Sequence, residues 1–213
     1  MTLPTPKHQF NFDEGSGTQA VDSAGGARMT MDRSSFHSTQ WKTGLRFNPV
    51  DGARVVTSNV PDRPPPWTAG LWLLREAKST SSTLFCTDDS SIKLEQWNAN
   101  NLVGFTNYSF GVPGVGGDYH FGYETPIGKW VHLAFVATNQ EIKLYVDGVL
   151  QNTNPRPVIF GMKWVGSSHG WHEFGQMIID ELKIFDEALN DQQVQELAGK
   201  TPKIVVSLDN KAV

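Results

Sequence analysis

Polar and apolar positions along the chain alternate mostly with a period of two. In Gln9-Phe10-Asn11-Phe12-Asp13 the aromatics alternate with polar residues, the pattern of a half-buried strand. Trp130 to Val136 alternates with His132 near its middle, and Leu71 to Leu74 is a short apolar run after Pro64-Pro65-Pro66. Ile142 to Val146 alternates too, and Asp147-Gly148 then Val149-Leu150 follow at once, which predicts a two-residue hairpin. Ile178 to Phe185 is a further strand with two carboxylates near its middle. Turn residues punctuate these runs at Glu14-Gly15-Ser16-Gly17, Gly25-Gly26, Asp51-Gly52 and Pro113 to Gly117. Only one segment reads as a helix. Asn190 caps it, Gln193 reaches back as in a capping box, Val194 and Leu197 share a face, and Gly199 with Pro202 ends it.

Many short strands between turns predict an all-β fold, a two-sheet antiparallel sandwich with one short C-terminal helix. No repeat or composition break divides the chain, so residues 1–213 read as one domain with its core at about 8–199. Residues 200–213, with Ile204-Val205-Val206, read as a terminal strand or a linker.

Composition narrows the function. With 213 residues, 20 Gly, 12 Pro and 7 Trp, the chain suits neither a helical bundle nor a disordered segment. Its net charge of −4 offers no basic footprint for nucleic acid. No apolar run approaches the roughly 18 residues of a membrane span. The N-terminus is polar and Pro-rich, without the pattern of a signal peptide. The expected location is extracellular or cell-surface, as a module of a larger protein, or cytoplasmic if the chain is complete as given. The single cysteine, Cys86, excludes an internal disulfide.

An ordered series of segments then points to a family. Phe12 to Gly17 is followed by Val21-Asp22-Ser23, Gly44-Leu45-Arg46-Phe47, Lys129 to Ala134 and Leu144 to Gly148. Ile179 to Phe185, Ala188-Leu189 and Gln195-Glu196-Leu197 close the series. From about Phe10 to Gly199 the chain resembles laminin-G-like, concanavalin A-like jelly-roll domains, most of all the bacterial type found beside glycoside hydrolases. It departs from them at Phe47 to Gly52, where three extra residues separate Phe47 from Asp51-Gly52. The resemblance implies one structural Ca²⁺ near the N-terminal turn, with Asp22 and Asp180 as the ligand candidates. The competing reading makes Asp22 a turn former and Asp180 an edge carboxylate.

No catalytic constellation is visible. A glycosidase needs two carboxylates across the scissile bond. Asp180 and Glu181 are adjacent, so a regular strand sends them to opposite faces, and their neighbours Ile178 and Leu182 are apolar. Cys86 precedes Thr87-Asp88-Asp89, an acidic stretch that would raise its thiol pKa, and it reads as inert. Trp72, Trp130 and Tyr145 fall in apolar strands and read as core or partly core, and His132 as a hydrogen-bonded structural histidine. The chain therefore reads as no enzyme.

Binding chemistry has better candidates. Sugars need aromatic faces to stack on and polar groups for their hydroxyls. Three segments supply both: Asp88 to Asn101, Asn107-Tyr108 with Asp118 to Tyr123, and Lys163 to Glu173. The candidate ligand-binding residues are Asp89, Trp97, Asn101, Tyr108, Trp164, His169 and Trp171. Tyr119, Phe121 and Tyr123 also alternate, and a core role competes for them. His169 and His172 suggest a transition-metal pair, but a strand would put them on opposite faces. The leading reading is non-catalytic carbohydrate binding, as a lectin or carbohydrate-binding module. Its partner would be a glycan or polysaccharide, with an attached catalytic domain or a cell-surface protein as further partners. The alternative is a laminin-G-type protein–protein or adhesion module, and a glycoside hydrolase comes third.

Overall fold

The computed structural model describes residues 2–199 except 34, 100 and 109–115. The expected terminal segment, 200–213, lies outside the described residues. In chain order the strands are β1 (His8–Phe10), β2 (Gln19–Val21), β3 (Arg28–Met31), β4 (Phe36–Ser38), β5 (Thr43–Phe47) and β6 (Val56–Ser58). Next come β7 (Trp67–Arg75), β8 (Ser82–Cys86), β9 (Ser90–Glu95), β10 (Leu102–Asn107) and β11 (Gly117–Glu124). The last are β12 (Trp130–Ala137), β13 (Ile142–Val146), β14 (Val149–Asn154), β15 (Trp164–Val165) and β16 (Met177–Phe185), before the helix α1 (Asp191–Ala198).

They form two antiparallel sheets of a jelly-roll sandwich. The first sheet runs β14-β13-β12-β7-β16-β5-β4, with β1 also beside β16. The second runs β11-β10-β9-β8-β15-β6-β3-β2. The inner faces meet through alternate residues such as Leu71, Leu73, Leu133 and Phe135 from one sheet and Ile92, Val103 and Phe105 from the other. Each fully buried side chain of this kind contributes roughly 1.5–3 kcal/mol.

The expected hairpin forms between β13 and β14. Asp147 and Gly148 both take positive φ, 50° and 79°, as a two-residue turn matched to the sheet twist requires. The expected helix forms as well. The Asn190 side chain accepts from the Gln193 N–H, and the Gln193 side chain accepts from the Asn190 N–H. Val194 and Leu197 bury a second, smaller cluster against Val136, Tyr145 and Phe185 on the outer face of the first sheet. Leu197 lies so close to Gly70 that a Cβ there would come within 2.6 Å of it.

Strand β16 differs from the sequence expectation. Asp180 faces Trp72 whereas Lys183 faces Gly70, so β16 carries one extra residue, a bulge with Glu181 at φ 52°. Met177 and Ile179 point into the core before the bulge, and Leu182 and Ile184 after it. Asp180 and Glu181 therefore both lie off the inner face, not on opposite faces. The bulge also lets β5 pair with residues 177–179 and β1 with residues 182–184.

Trp72 is buried and Trp130 half-buried, as expected of core or partly core residues, though not between the two sheets. They sit on the outer face, where Trp41 packs on both at 4.9 and 5.1 Å between ring centroids. His132 is buried, and burial above all holds its pKa down at about 3, with Lys183 adding to the effect. Its Nδ1 has no hydrogen-bond partner among the described residues. Phe121 is core, and Tyr119 and Tyr123 pack half-buried against it.

Gly166, next to β15 of the second sheet, lies against the Phe47 ring of the first. Its φ is +72°, and a Cβ there would fall 2.0 Å from the Phe47 ring. Gly166→Ala should cost about 3 kcal/mol by urea denaturation, combining backbone strain with overpacking. A change within the error of the method would refute this account of the position.

Candidate functional site

The outer face of the second sheet carries a transverse row of side chains. Strand register puts Trp164 opposite Cys86, Cys86 opposite Ser91, Ser91 opposite Thr106 and Thr106 opposite Asp118. Their chain neighbours Phe85, Ile92 and Phe105 point into the core, so alternation sends the row outward. Lys93 and Tyr108 lie two positions along from Ser91 and Thr106 and so face the same way.

Residues 166–175 lie back across this row. Gly166 donates to the Leu84 carbonyl, and Thr83 donates to the Glu173 carbonyl at 3.1 Å. The Glu173 carboxylate accepts from Ser81 Oγ at 2.7 Å and forms an ion pair with Lys93, whose ammonium also donates to Thr83. Burial works against the charge on Glu173, but Lys93 and Ser81 outweigh it and hold the carboxyl below its usual range. His169, Gly170 and Glu173 take positive φ, which folds the segment tightly enough to present several rings side by side.

Between segment and sheet is a cleft of about 180 Å³. The sheet supplies Lys93, Thr106, Tyr108 and Asp118, the turn after β9 supplies Trp97, and the covering segment supplies His169, His172 and Glu173. Trp97 is 61% exposed and Trp171 is 71% exposed. The Trp97 ring is held in place, because its Nε1 donates to Asp118 at 2.8 Å while Asp118 accepts from Thr106 at 2.6 Å. Trp171 packs on His172 at 4.2 Å, and His172 lies parallel to His169 at 5.9 Å. His169 in turn packs on Trp164 and Tyr108. Burial, then the His172 ring, lowers the His169 pKa and so favours its neutral form.

Of the candidate residues, the structure brings Trp97, Tyr108 and His169 into this cleft, with Trp164 and Trp171 at its border through ring contacts. Asn101 lines a neighbouring cleft of about 350 Å³ with Lys78, Ser79 and Thr80, and Trp97 is shared by both. Asp89 lies elsewhere, in a cleft of about 290 Å³ with Pro65, Pro157 and Ile159. Lys93 and Thr106 escaped sequence reasoning. The signal was present in Ser91-Ile92-Lys93-Leu94-Glu95, whose polar positions alternate with core residues on a face that ought to be exposed.

A family model of the concanavalin A-like lectin/glucanases superfamily matches residues 48–195. The chain belongs to this superfamily. No curated protein sequence matches it. Among solved structures it is similar to domain 4 of AbnA, a GH43 extracellular arabinanase from Geobacillus stearothermophilus, in complex with arabinotriose. The TM-score is 0.68 at 22% identity, covering 91% of this chain and 98% of that one. It is also similar to a Trypanosoma rangeli sialidase in complex with sialic acid, at TM-score 0.63 and 14% identity, over 93% of this chain but 33% of the sialidase. The receptor-binding domain of botulinum neurotoxin type G matches at TM-score 0.55 and 14% identity, over 92% of this chain and 51% of that one. At these identities the likenesses show the fold. No helix among the described residues is long and apolar enough to cross a membrane.

The calcium ligands that the superfamily resemblance suggested do not fit a cation here. Asp22 Oδ1 accepts from the backbone N–H groups of Gln9 and Ala24, and Oδ2 from that of Ala27, with His8 Nδ1 at 2.6 Å. A carboxylate wrapped in donors has little left for a metal that takes six to eight oxygens. Burial opposes the Asp22 charge, but bonds from Gly25, Gln9, His8 and Ala24 prevail and hold its pKa at about 2. Asp180 is fully buried and accepts from Thr39 Oγ1 and from the Glu181 N–H. Asp22 and Asp180 share no bonding partner, and no group of three or more His, Cys, Asp or Glu among the described residues is placed to hold a metal ion.

Cys86 is fully buried, and burial raises its thiol pKa. The acidic neighbours Asp88 and Asp89 point to solvent, so the expected direction holds for a different reason.

Two predictions follow from these buried charges. Burial, with Glu181 and Asp13 adding to it, raises the Asp180 pKa to about 7, above its unfolded value near 3.8, although Thr39 and the Glu181 N–H act against this. Such a group stabilises the fold fully below pH 3.8, and that contribution is lost as pH rises toward 7. Asp180→Asn should remove this decline, leaving the variant more stable than the parent above pH 7 by up to roughly 4 kcal/mol. Parallel stability–pH curves for the two proteins would contradict it. Lys93→Met leaves Glu173 without its cation and should cost about 3 kcal/mol. Adding Glu173→Gln should recover part of that loss in chemical denaturation.

Proposed function

We propose that this chain is a non-catalytic carbohydrate-binding domain, a lectin or the targeting module of a larger extracellular glycan-processing protein. The observation that carries this reading is the pair of exposed indoles, Trp97 and Trp171, beside a cleft lined with hydroxyl, carboxylate and imidazole groups. Indole faces cover the apolar side of a sugar ring, and the polar groups bond its hydroxyls. Trp97 is fixed by Asp118 before any ligand arrives, which lowers the ordering cost of binding. The second cleft, beyond Trp97, offers Asn101, Ser79 and Thr80 to the next sugar of a chain.

The arabinanase domain supports this reading, since it shares the fold over nearly its whole length and its structure holds arabinotriose. A small, open site of this kind binds weakly on its own and gains from tethering or repetition. That suits a module attached to an enzyme or displayed at a cell surface.

The test is a glycan array with arabinotriose among its ligands, run with calcium and again with EDTA. A defined set of glycans should bind equally in both conditions. Trp97→Ala and Trp171→Ala should each lose more than about tenfold in affinity, which is ~1.4 kcal/mol. Their melting temperatures should stay near that of the parent, because both rings are exposed. Unfolding by either substitution would make that residue structural. Absence of any glycan ligand would move the assignment to a protein-binding module.

A further inference from the structure

We propose that the cleft selects uncharged glycans and rejects those bearing carboxylates, with Asp118 as the residue that sets the selection. The inference rests on the carbohydrate-binding reading and adds the class of ligand.

The argument is one of charge and availability. A carboxylated sugar, such as a uronic or sialic acid, needs a cation or several free donors at its acid group. Among the described residues, the lysine or arginine that lines the cleft is Lys93, which is 2% exposed. Its ammonium is already engaged by the Glu173 carboxylate and the Thr83 hydroxyl. Outside the cleft, the Lys163 ammonium lies over the Trp164 ring and is paired with Asp88 at 2.8 Å. In the neighbouring cleft beyond Trp97, the Lys78 ammonium is paired with Glu124 at 2.8 Å. Each of the three lysines is therefore already held by a carboxylate.

The anions are placed differently. Asp118 is half-buried at the cleft wall and accepts one bond on each oxygen, from Trp97 and from Thr106. A carboxylate has about four acceptor positions, so two remain for ligand hydroxyls. Glu173 adds a second negative charge, and the cleft residues Lys93, Asp118 and Glu173 sum to −1. Burial lowers the His169 pKa and so disfavours a positive charge on this ring. The wall therefore accepts hydrogen bonds from sugar hydroxyls and repels a ligand carboxylate.

The experiment compares matched glycans: lactose with sialyllactose, galactotriose with trigalacturonic acid, and cellotriose with its uronic acid counterpart. Affinities are measured by titration calorimetry for the full chain and for Asp118→Asn. The substitution preserves shape and the acceptor for Trp97 or Thr106 while removing the charge, and its melting temperature checks the fold. For whichever pair contains a ligand, the neutral member should bind about tenfold more tightly at about 20 mM salt, and the gap should shrink at about 500 mM. Asp118→Asn should close most of the low-salt gap by strengthening the acidic glycan. Equal or tighter binding of the acidic member, or a gap unchanged by Asp118→Asn, overturns the selection while leaving carbohydrate binding intact. Failure of every neutral and acidic glycan to bind overturns both.

Discussion

The buried ion pair between Lys93 and Glu173 holds the site together. Lys93 rises from the middle of a sheet strand, and Glu173 belongs to the segment that crosses over it. Without Glu173, a lysine ammonium with 2% exposure would be left with the Thr83 hydroxyl but no counter-charge. Such a charge is costly to bury unpaired, so the segment is drawn down onto the sheet. The positions of His169, His172 and Trp171 follow from that closure. The same pair neutralises the cation in the cleft and so fixes the electrostatic character of the binding surface.

The remainder of the fold keeps this surface separate from the core. The inner faces of both sheets hold the large apolar side chains, and α1 covers the outer face of the first sheet. Among the described residues no helix lies over the second sheet, and residues 166–175 roof its outer polar row. A fold shared with sialidases, an arabinanase domain and a toxin domain does not choose among functions. The choice comes from what this open face carries.

The sequence made the scaffold readable and the site only partly so. Period-two alternation located β12, β13 and β16, and Asp147-Gly148 marked the hairpin, because both signals depend on neighbours in the chain. The bulge in β16 was hidden, since Asp180-Glu181 looks like any adjacent pair in a regular strand. Trp97 and Trp171 stood out because large aromatics flanked by Asn, Gly and His have poor prospects in a core. Lys93 and Thr106 did not stand out, for their role depends on strand register between segments far apart in sequence. Asp89 was grouped with Trp97 by closeness in sequence, whereas the fold places it in a separate cleft. Asp22 fitted a calcium loop by residue type, yet the backbone donors that surround it emerge only when β1 meets residues 22–27.

The transverse row from Trp164 to Asp118 has one more consequence. Its members come from five different strands; the first four each have a core residue directly before or after them on the same strand, and Asp118 has the half-buried Tyr119. Packing against the opposite sheet therefore constrains one half of every strand and leaves the other half outside that constraint. Ligand preference can drift by substitution along the row while the hydrophobic register beneath it stays put. A sandwich of this kind is in effect a printed surface on a fixed backing, and new recognition can be written on it without renegotiating how the protein folds.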